Sequence, residues 1–182
     1  MNFPNEIDLR DAIVVAARSA FRSLFSLHHG NYYYCSLITT GEAHSPVVTA
    51  WSWEALENAT RGAENINEAL FMTKWSYADS PYFAYGENFF APVKELFRAR
   101  PRISASMSDD EWSHEFQLRL DAMEFAMTKL DREGMFGLGE DRNRIVVLVE
   151  VMPPDASNTE RAIRLNPPGA LVEWLADVSE AT

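Results

Sequence analysis

The chain has little cysteine and histidine, the residues that disulfide-bonded, metal-binding and many catalytic proteins depend on. It contains one cysteine, Cys35, and four histidines in 182 residues. One cysteine cannot close an internal disulfide, and the N-terminus lacks the basic stretch and apolar core of a signal peptide. We therefore expect a cytoplasmic protein.

Motifs for common cofactors are also missing. The sequence has no His-Glu-x-x-His or paired Cys-x-x-Cys pattern for zinc, no Gly-x-Ser-x-Gly elbow and no phosphate-binding P-loop. The glycines from Gly134 to Gly139 follow a predicted helix and precede a strand, the reverse of the order in a dinucleotide site. Cys35 is expected to be a buried core residue. The sequence thus predicts no metal and no cofactor, and it favours a protein that is not an enzyme.

Long apolar runs and positive charge are scarce as well. No run of 18 apolar residues occurs, so the sequence predicts no transmembrane helix and no membrane partner. Sixteen Lys and Arg face 27 Asp and Glu, a net charge of −11. This balance argues against nucleic-acid binding, because phosphates require a basic surface. The acidity either keeps the protein soluble or attracts a cationic partner.

Hydrophobic periodicity predicts one domain over residues 1–182, with disorder only after Asp177. Residues 70–76 fit either a third strand or a continuing helix. The other elements expected in the first hundred residues are a helix over 5–28, a strand over 32–40 paired antiparallel with one over 47–53, a short helix over 53–59 capped by Ser52, and a helix over 89–98.

Residues 108–152 carry the clearest pattern in the chain. Ser108 opens a capping box with Glu111, and apolar residues then recur at helical spacing up to Leu130. Gly134 supplies the left-handed residue that ends such a helix. The strand that starts at Ile145 is apolar on both faces, as expected for a strand covered on both sides.

These elements predict the fold class. Two further helices, near 158–165 and 167–177, complete the chain. We expect an α+β domain with a mainly antiparallel sheet of about four or five strands, the Ile145 strand in its centre and helices packed on it.

The acidic residues concentrate on the predicted long helix. From Ser108 to Asp141 there are ten acidic residues and three basic ones. A solvated helix face explains this density simply, and a surface that attracts a basic partner is the alternative. The candidate partner-binding residues are Asp109, Asp110, Glu111, Glu115, Asp121 and Glu124.

Aromatic residues form a second concentration, between Trp75 and Phe90. Aromatic side chains with a polar group favour both mixed cores and the walls of binding pockets. The alternative candidate site is therefore an aromatic-lined pocket, built from Trp51, Trp53, Trp75, Tyr77 and Tyr82 with His44 or Asp79 as its polar group.

Three segments carry a resemblance to a known family. They are Trp51–Leu56 at the end of the tyrosine-rich hairpin, Lys74–Asp79, and Leu130–Gly137 followed by Arg142 and the Ile145 strand. Together they resemble the bacterial family called domain of unknown function 4303. The resemblance supplies no catalytic residues, and it implies an immunity-type role only by analogy with proteins found beside toxin genes.

Two functions are open at this point. The first is an interaction protein that binds a basic partner, immunity-like if that partner is a toxin. The alternative is a small-molecule-binding module, or an enzyme, with an aromatic-lined pocket. The sequence does not indicate an oligomeric state.

Overall fold

A three-stranded mixed sheet lies at the centre of the structure, a computed structural model that describes residues 3–180. Its strands are β1 (Tyr32–Thr40), β2 (Val47–Ser52) and β3 (Val146–Met152). The order is β2-β1-β3, with β1 antiparallel to β2 and parallel to β3. The predicted hairpin is thus confirmed, and β1 is the central strand.

Helices surround this sheet, and the α+β class is confirmed. Two short 3-10 helices lie at Glu87–Phe90 and Gly139–Arg144. The α-helices of the described residues are α1 (Glu6–Leu27), α2 (Trp53–Thr60), α3 (Ile66–Thr73), α4 (Ala91–Ala99), α5 (Asp109–Arg132), α6 (Ala156–Leu165) and α7 (Pro168–Glu180). None of the helices in this part of the chain is long and apolar enough to cross a membrane.

The expected sheet of four or five mainly antiparallel strands, with the Ile145 strand in its centre, was wrong. β3 lies at an edge of the sheet and pairs only with β1. It reads as a central strand because every residue from Val146 to Val151 is buried. Both faces of β3 are buried in hydrophobic cores, so its composition resembles that of a central strand, and side chains of α6 and of the residue that follows α6 cover its free edge.

Two asparagines and an arginine form this cover. Asn166 donates to the carbonyl of Val147 at 2.6 Å and accepts from its amide at 2.8 Å. Asn158 binds both groups of Val151 in the same way, at 3.0 and 2.8 Å. Arg161 Nε donates to the carbonyl between them, at 2.9 Å. Five outward backbone groups of β3, at Val147, Val149 and Val151, therefore have a partner without a fourth strand.

The edge of β2 is covered by an irregular segment. The amide of Tyr85 donates to the carbonyl of Val48 at 3.1 Å, and Ser80 Oγ donates to the carbonyl of Ala50 at 2.5 Å. Residues 70–76, which fitted a strand or a helix, continue α3 to Thr73 and then form a turn. No third strand therefore forms at residues 70–76, and the later residues Ser80 and Tyr85 cover the edge of β2.

Hydrophobic side chains form a core on each face of the sheet. On one face, α1, α4 and α5 pack against Cys35, Leu37 and Val149. On the other face, α2 and α7 cover Tyr34 and Trp51. The result is a three-layer arrangement, with α6 along the edge of β3.

The predicted helix ends are present. Asn5 and Ser108 each form a capping box with the residue three positions later. Gly134 has φ of +80°, as the end of α5 requires. Helix α7 continues past Asp177 to Glu180, although disorder was expected there, and residues 181–182 lie outside the described part of the chain.

Candidate functional site

The acidic residues predicted to bind a partner are partly engaged within the chain. Glu115 is 3% exposed and lies between two guanidinium groups. Arg100 binds its carboxylate with two hydrogen bonds, at 2.8 and 2.6 Å, and Arg119 Nε donates to it at 2.8 Å. Burial acts to raise the pKa of Glu115, but the hydrogen bonds and charges of the two arginines outweigh it and lower the pKa. Glu115 is therefore not part of a solvated face.

The other acidic residues of α5 differ in whether their carboxylates are free to contact a partner. Glu124 pairs with Arg164 at 2.8 Å, and Asp121 accepts a hydrogen bond from Gln117 at 2.7 Å. Glu111 is exposed and closes the capping box. Asp109 and Asp110 are exposed in the first turn. The assignment of this helix to partner binding stays a prediction, and exposed acidic groups remain only toward its N-terminus.

The aromatic residues of the alternative site do not share one cavity. Trp51 is fully buried, and its Nε1 donates to the carbonyl of Ser76 at 2.7 Å. Trp53 is 43% exposed and stacks on Tyr33 with 4.2 Å between ring centroids. Trp75 contacts the same tyrosine edge-on at 5.3 Å. Trp53 and Trp75 together line a cleft of about 330 Å³.

The remaining members of that set lie elsewhere. Asp79 and Tyr82 line a cavity of about 580 Å³ beside α2. Tyr77 packs against Phe83. His44 lies at a different cavity, formed by the β1–β2 turn and α4. The aromatic-pocket assignment therefore stays a prediction for the Trp53–Trp75 cleft.

Buried polar side chains of β1 and β3 form hydrogen bonds with one another across the sheet. The Tyr34 hydroxyl donates to Glu150 at 2.5 Å and the Ser36 hydroxyl donates to it at 2.8 Å, all within the core. Burial raises the pKa of Glu150, against the opposing effect of these hydrogen bonds. Burial also raises the pKa of the Cys35 thiol, so this core cysteine stays protonated at neutral pH. Within residues 3–180 no cluster of potential metal ligands occurs.

A surface that the sequence did not single out lies on the pair of helices α2 and α3, here called the α2–α3 hairpin (residues 53–73). Ser52 caps α2 by accepting from the amide of Ala55, and Asn65 caps α3 by accepting from the amide of Glu68. Gly62 has φ of +86° in the turn between them, a conformation that glycine adopts at little cost. Local capping thus defines both helices.

Apolar side chains are unusually exposed on this hairpin. Helix α3 has no buried residue. Ile66, Phe71 and Met72 are 55%, 46% and 69% exposed, and Trp53 on α2 is 43% exposed. A groove of about 460 Å³ runs between the helices, and Leu56 and Leu70 contribute to its floor. Trp53 and Ile66 line this groove, and exposed apolar surface beside a groove is a usual mark of an interaction site.

Negative charge accompanies this apolar surface. Glu54, Glu57, Glu64 and Glu68 are exposed on the same hairpin. Two of them accept hydrogen bonds from neutral groups, Glu54 from Asn31 and Glu68 from Asn65. Arg61 is the single basic residue between positions 53 and 73. Glu57 and Arg61 line the groove, and the excess of acidic residues on the hairpin as a whole suits a partner that is both apolar and basic.

A sequence signal for this surface existed but was ambiguous. Ile66, Leu70, Phe71 and Met72 fall on more than one side of an eight-residue helix, so one neighbour cannot bury them all. The same apolar run also fits a strand, and in that interpretation its side chains would have been core.

The comparison with known proteins adds the family and no more. No curated protein and no solved structure matches the chain. A family model described as a domain of unknown function matches residues 13–167, and the chain therefore belongs to the DUF4303 family.

Proposed function

We propose that the protein is an interaction protein that binds a basic partner, and that the α2–α3 hairpin is the surface it uses. The observation that carries this proposal is the exposure of apolar side chains along a helix with no buried residue. A helix of eight residues is marginal on its own, and burial of an amphipathic face normally stabilises it. A partner seated on α3 would supply that burial.

The charge of the hairpin supports a basic partner. Its four glutamates have no ion pair in the described structure, in contrast to Glu115 and Glu124 on α5. Exposed acidic groups without an ion pair stay hydrated in the free protein and increase the rate of encounter with a cationic surface. For this reason we place the interface on the hairpin before the N-terminal turn of α5.

An immunity-like role is the specific form of this proposal that the family resemblance implies. A protein that neutralises a basic toxin has to bind it tightly and needs no catalytic group of its own. The exposed hairpin meets that requirement, because binding energy in such interfaces comes from a few apolar and aromatic residues with charge at the rim. Trp53 and Phe71 are the candidate anchors.

The test uses the product of any small reading frame adjacent to this gene. We expect the wild-type chain to bind that product, and the variant Phe71→Ser/Met72→Ser to lose at least tenfold in affinity, because each substitution removes apolar contact area from the proposed interface. Both side chains are exposed, so the fold should be retained. Surface plasmon resonance measures the affinity, and circular dichroism checks the fold.

The matched control is Val15→Ser/Leu27→Ser, which removes two exposed apolar residues from α1. It should bind as the wild type does. Equal loss in both double variants would mean that the hairpin has no special role. Absence of binding by any adjacent gene product would remove the immunity-like form of the proposal.

The alternative, a small-molecule site, has its support in the Trp53–Trp75 cleft. Lys74 lies 5.0 Å from the ring of Trp75 and 5.8 Å from that of Trp53, so a polar group is present beside the aromatic rings. Its amine is already paired with Glu173 and Asp177, at 2.6 and 2.7 Å. This alternative therefore comes second. It is tested by measuring the melting temperature of the protein with each compound of a metabolite library, and the absence of any increase would contradict it.

A further inference from the structure

Basic side chains gather around one cavity of this acidic protein. The cavity has a volume of about 510 Å³ and lies between the β1–β2 turn, α4 and the connection to α5. Five of the sixteen Lys and Arg residues of the chain line it, beside His44 and a single carboxylate, Glu42. They are Lys94, Arg98, Arg100, Arg102 and Arg119. None of them belongs to the α2–α3 hairpin.

The inner arginines are held rigidly. Arg119 donates to Glu115, to the carbonyl of Ala43 at 3.2 Å and to that of Pro101 at 2.7 Å. Arg100 shares the same carboxylate. Two guanidinium groups therefore lie over one buried carboxylate, and the excess positive charge is fixed in the wall of the cavity.

Two groups at the cavity have no partner among the described residues. Ser45 Oγ is buried and makes no hydrogen bond. Arg102 is exposed, and no ion pair or hydrogen bond of its side chain occurs in the described structure. An unsatisfied buried hydroxyl is costly in a free protein. Both residues line the cavity, and an anion bound there would supply an acceptor that these donors lack.

We propose that this cavity binds a small anionic molecule that carries a phosphate or carboxylate group. Arginine forks match both groups with paired hydrogen bonds. The volume suits a ligand of small-metabolite size, and the rings and chains of Phe97 and Ile103 provide apolar wall for the rest of it. Lys94 and Arg98 are paired with Glu87 and Glu95 at the rim, so they are available only by exchanging those partners.

The test titrates the full chain with two probes, inorganic pyrophosphate and citrate, at constant ionic strength set with sodium chloride. Isothermal titration calorimetry gives the affinity, and the melting temperature gives an independent reading. We expect at least one probe to bind the wild type and to raise its melting temperature above that in chloride alone. Preference for pyrophosphate assigns the site to phosphate groups, and preference for citrate assigns it to carboxylates.

Variants then locate the binding. Arg102→Gln should weaken it about tenfold, the usual loss for one hydrogen bond to a charged group. Ser45→Ala should weaken it while leaving the free protein at least as stable as before, since the hydroxyl that it removes is buried there without a partner. Arg22→Gln, an exposed arginine on α1 away from the cavity, is the matched control. No binding of either probe, or equal loss in Arg102→Gln and Arg22→Gln, would overturn the proposal.

Discussion

The carboxylate of Glu115 lies between the guanidinium groups of Arg100 and Arg119, and all three side chains are less than one-tenth exposed. In the sequence this glutamate is one of several acidic residues on an acidic helix. In the structure it compensates two buried positive charges that link α5 to the segment after α4 and to the β1–β2 turn. Its role is therefore internal.

Removing this carboxylate should be strongly destabilising. We expect Glu115→Gln to lower the free energy of unfolding by about 3–5 kcal/mol, because two buried guanidinium groups lose their counter-ion. Chemical denaturation at pH 7 measures it. The matched control is Glu124→Gln, whose partner Arg164 is half-exposed and whose loss should cost no more than about 1 kcal/mol. Similar losses in the two variants would contradict the assignment.

The lowered pKa of Glu115 also predicts how the effect of Glu115→Gln on the free energy of unfolding depends on pH. The pKa of Glu115 is lower in the folded chain than in the unfolded chain. Its stabilising effect is therefore present above the unfolded pKa, about 4.3, and is lost as the pH falls through the lower folded value. The destabilisation caused by Glu115→Gln should shrink below pH 4.

Individual helices and strands could be predicted from local sequence, whereas the order of the strands in the sheet could not. The helices α1 and α5, their caps and the β1–β2 hairpin depend on periodicity and capping within a few residues, which the sequence displays. The edge position of β3 depends on Asn158 and Asn166, polar residues whose spacing carries no recognisable signal. Likewise the acids of α5 looked alike until their partners from distant segments were known. Contacts between residues far apart in the sequence therefore determine both the edge position of β3 and which acidic residues of α5 are exposed.

The cover on β3 can be tested through its two asparagines. Asn166→Ala should speed hydrogen exchange at the amide of Val147, and Asn158→Ala should speed it at Val151, since each amide loses its only acceptor on that edge. Each variant should also lose about 1–3 kcal/mol of stability per backbone group left without a partner. Asn67→Ala, exposed on α3, should change neither quantity. Uniform changes across β3 would show that the asparagines act only through general stability.

At the scale of the whole molecule, the net charge of −11 and the local charge of the hairpin make separable contributions to partner binding. Overall charge acts at long range and should raise the association rate of a basic partner in a way that salt screens, with a Debye length of about 8 Å at physiological ionic strength. Groups at the interface should in addition slow dissociation. Two variants that each remove three negative charges distinguish these effects.

The hairpin variant is Glu57→Gln/Glu64→Gln/Glu68→Gln, and its matched control on α5 is Asp109→Asn/Asp110→Asn/Asp121→Asn. Both should lower the association rate of a basic partner at low salt by similar factors, because both change the net charge equally. Only the hairpin variant should raise the dissociation rate, at low and at high salt alike. Surface plasmon resonance at 50 and about 500 mM salt separates the two rates, the upper value shortening the Debye length to about half its physiological value. A faster dissociation in the α5 variant instead would move the interface to the N-terminal turn of α5, and unchanged association in both would show that the acidity of the chain serves only to keep molecules apart.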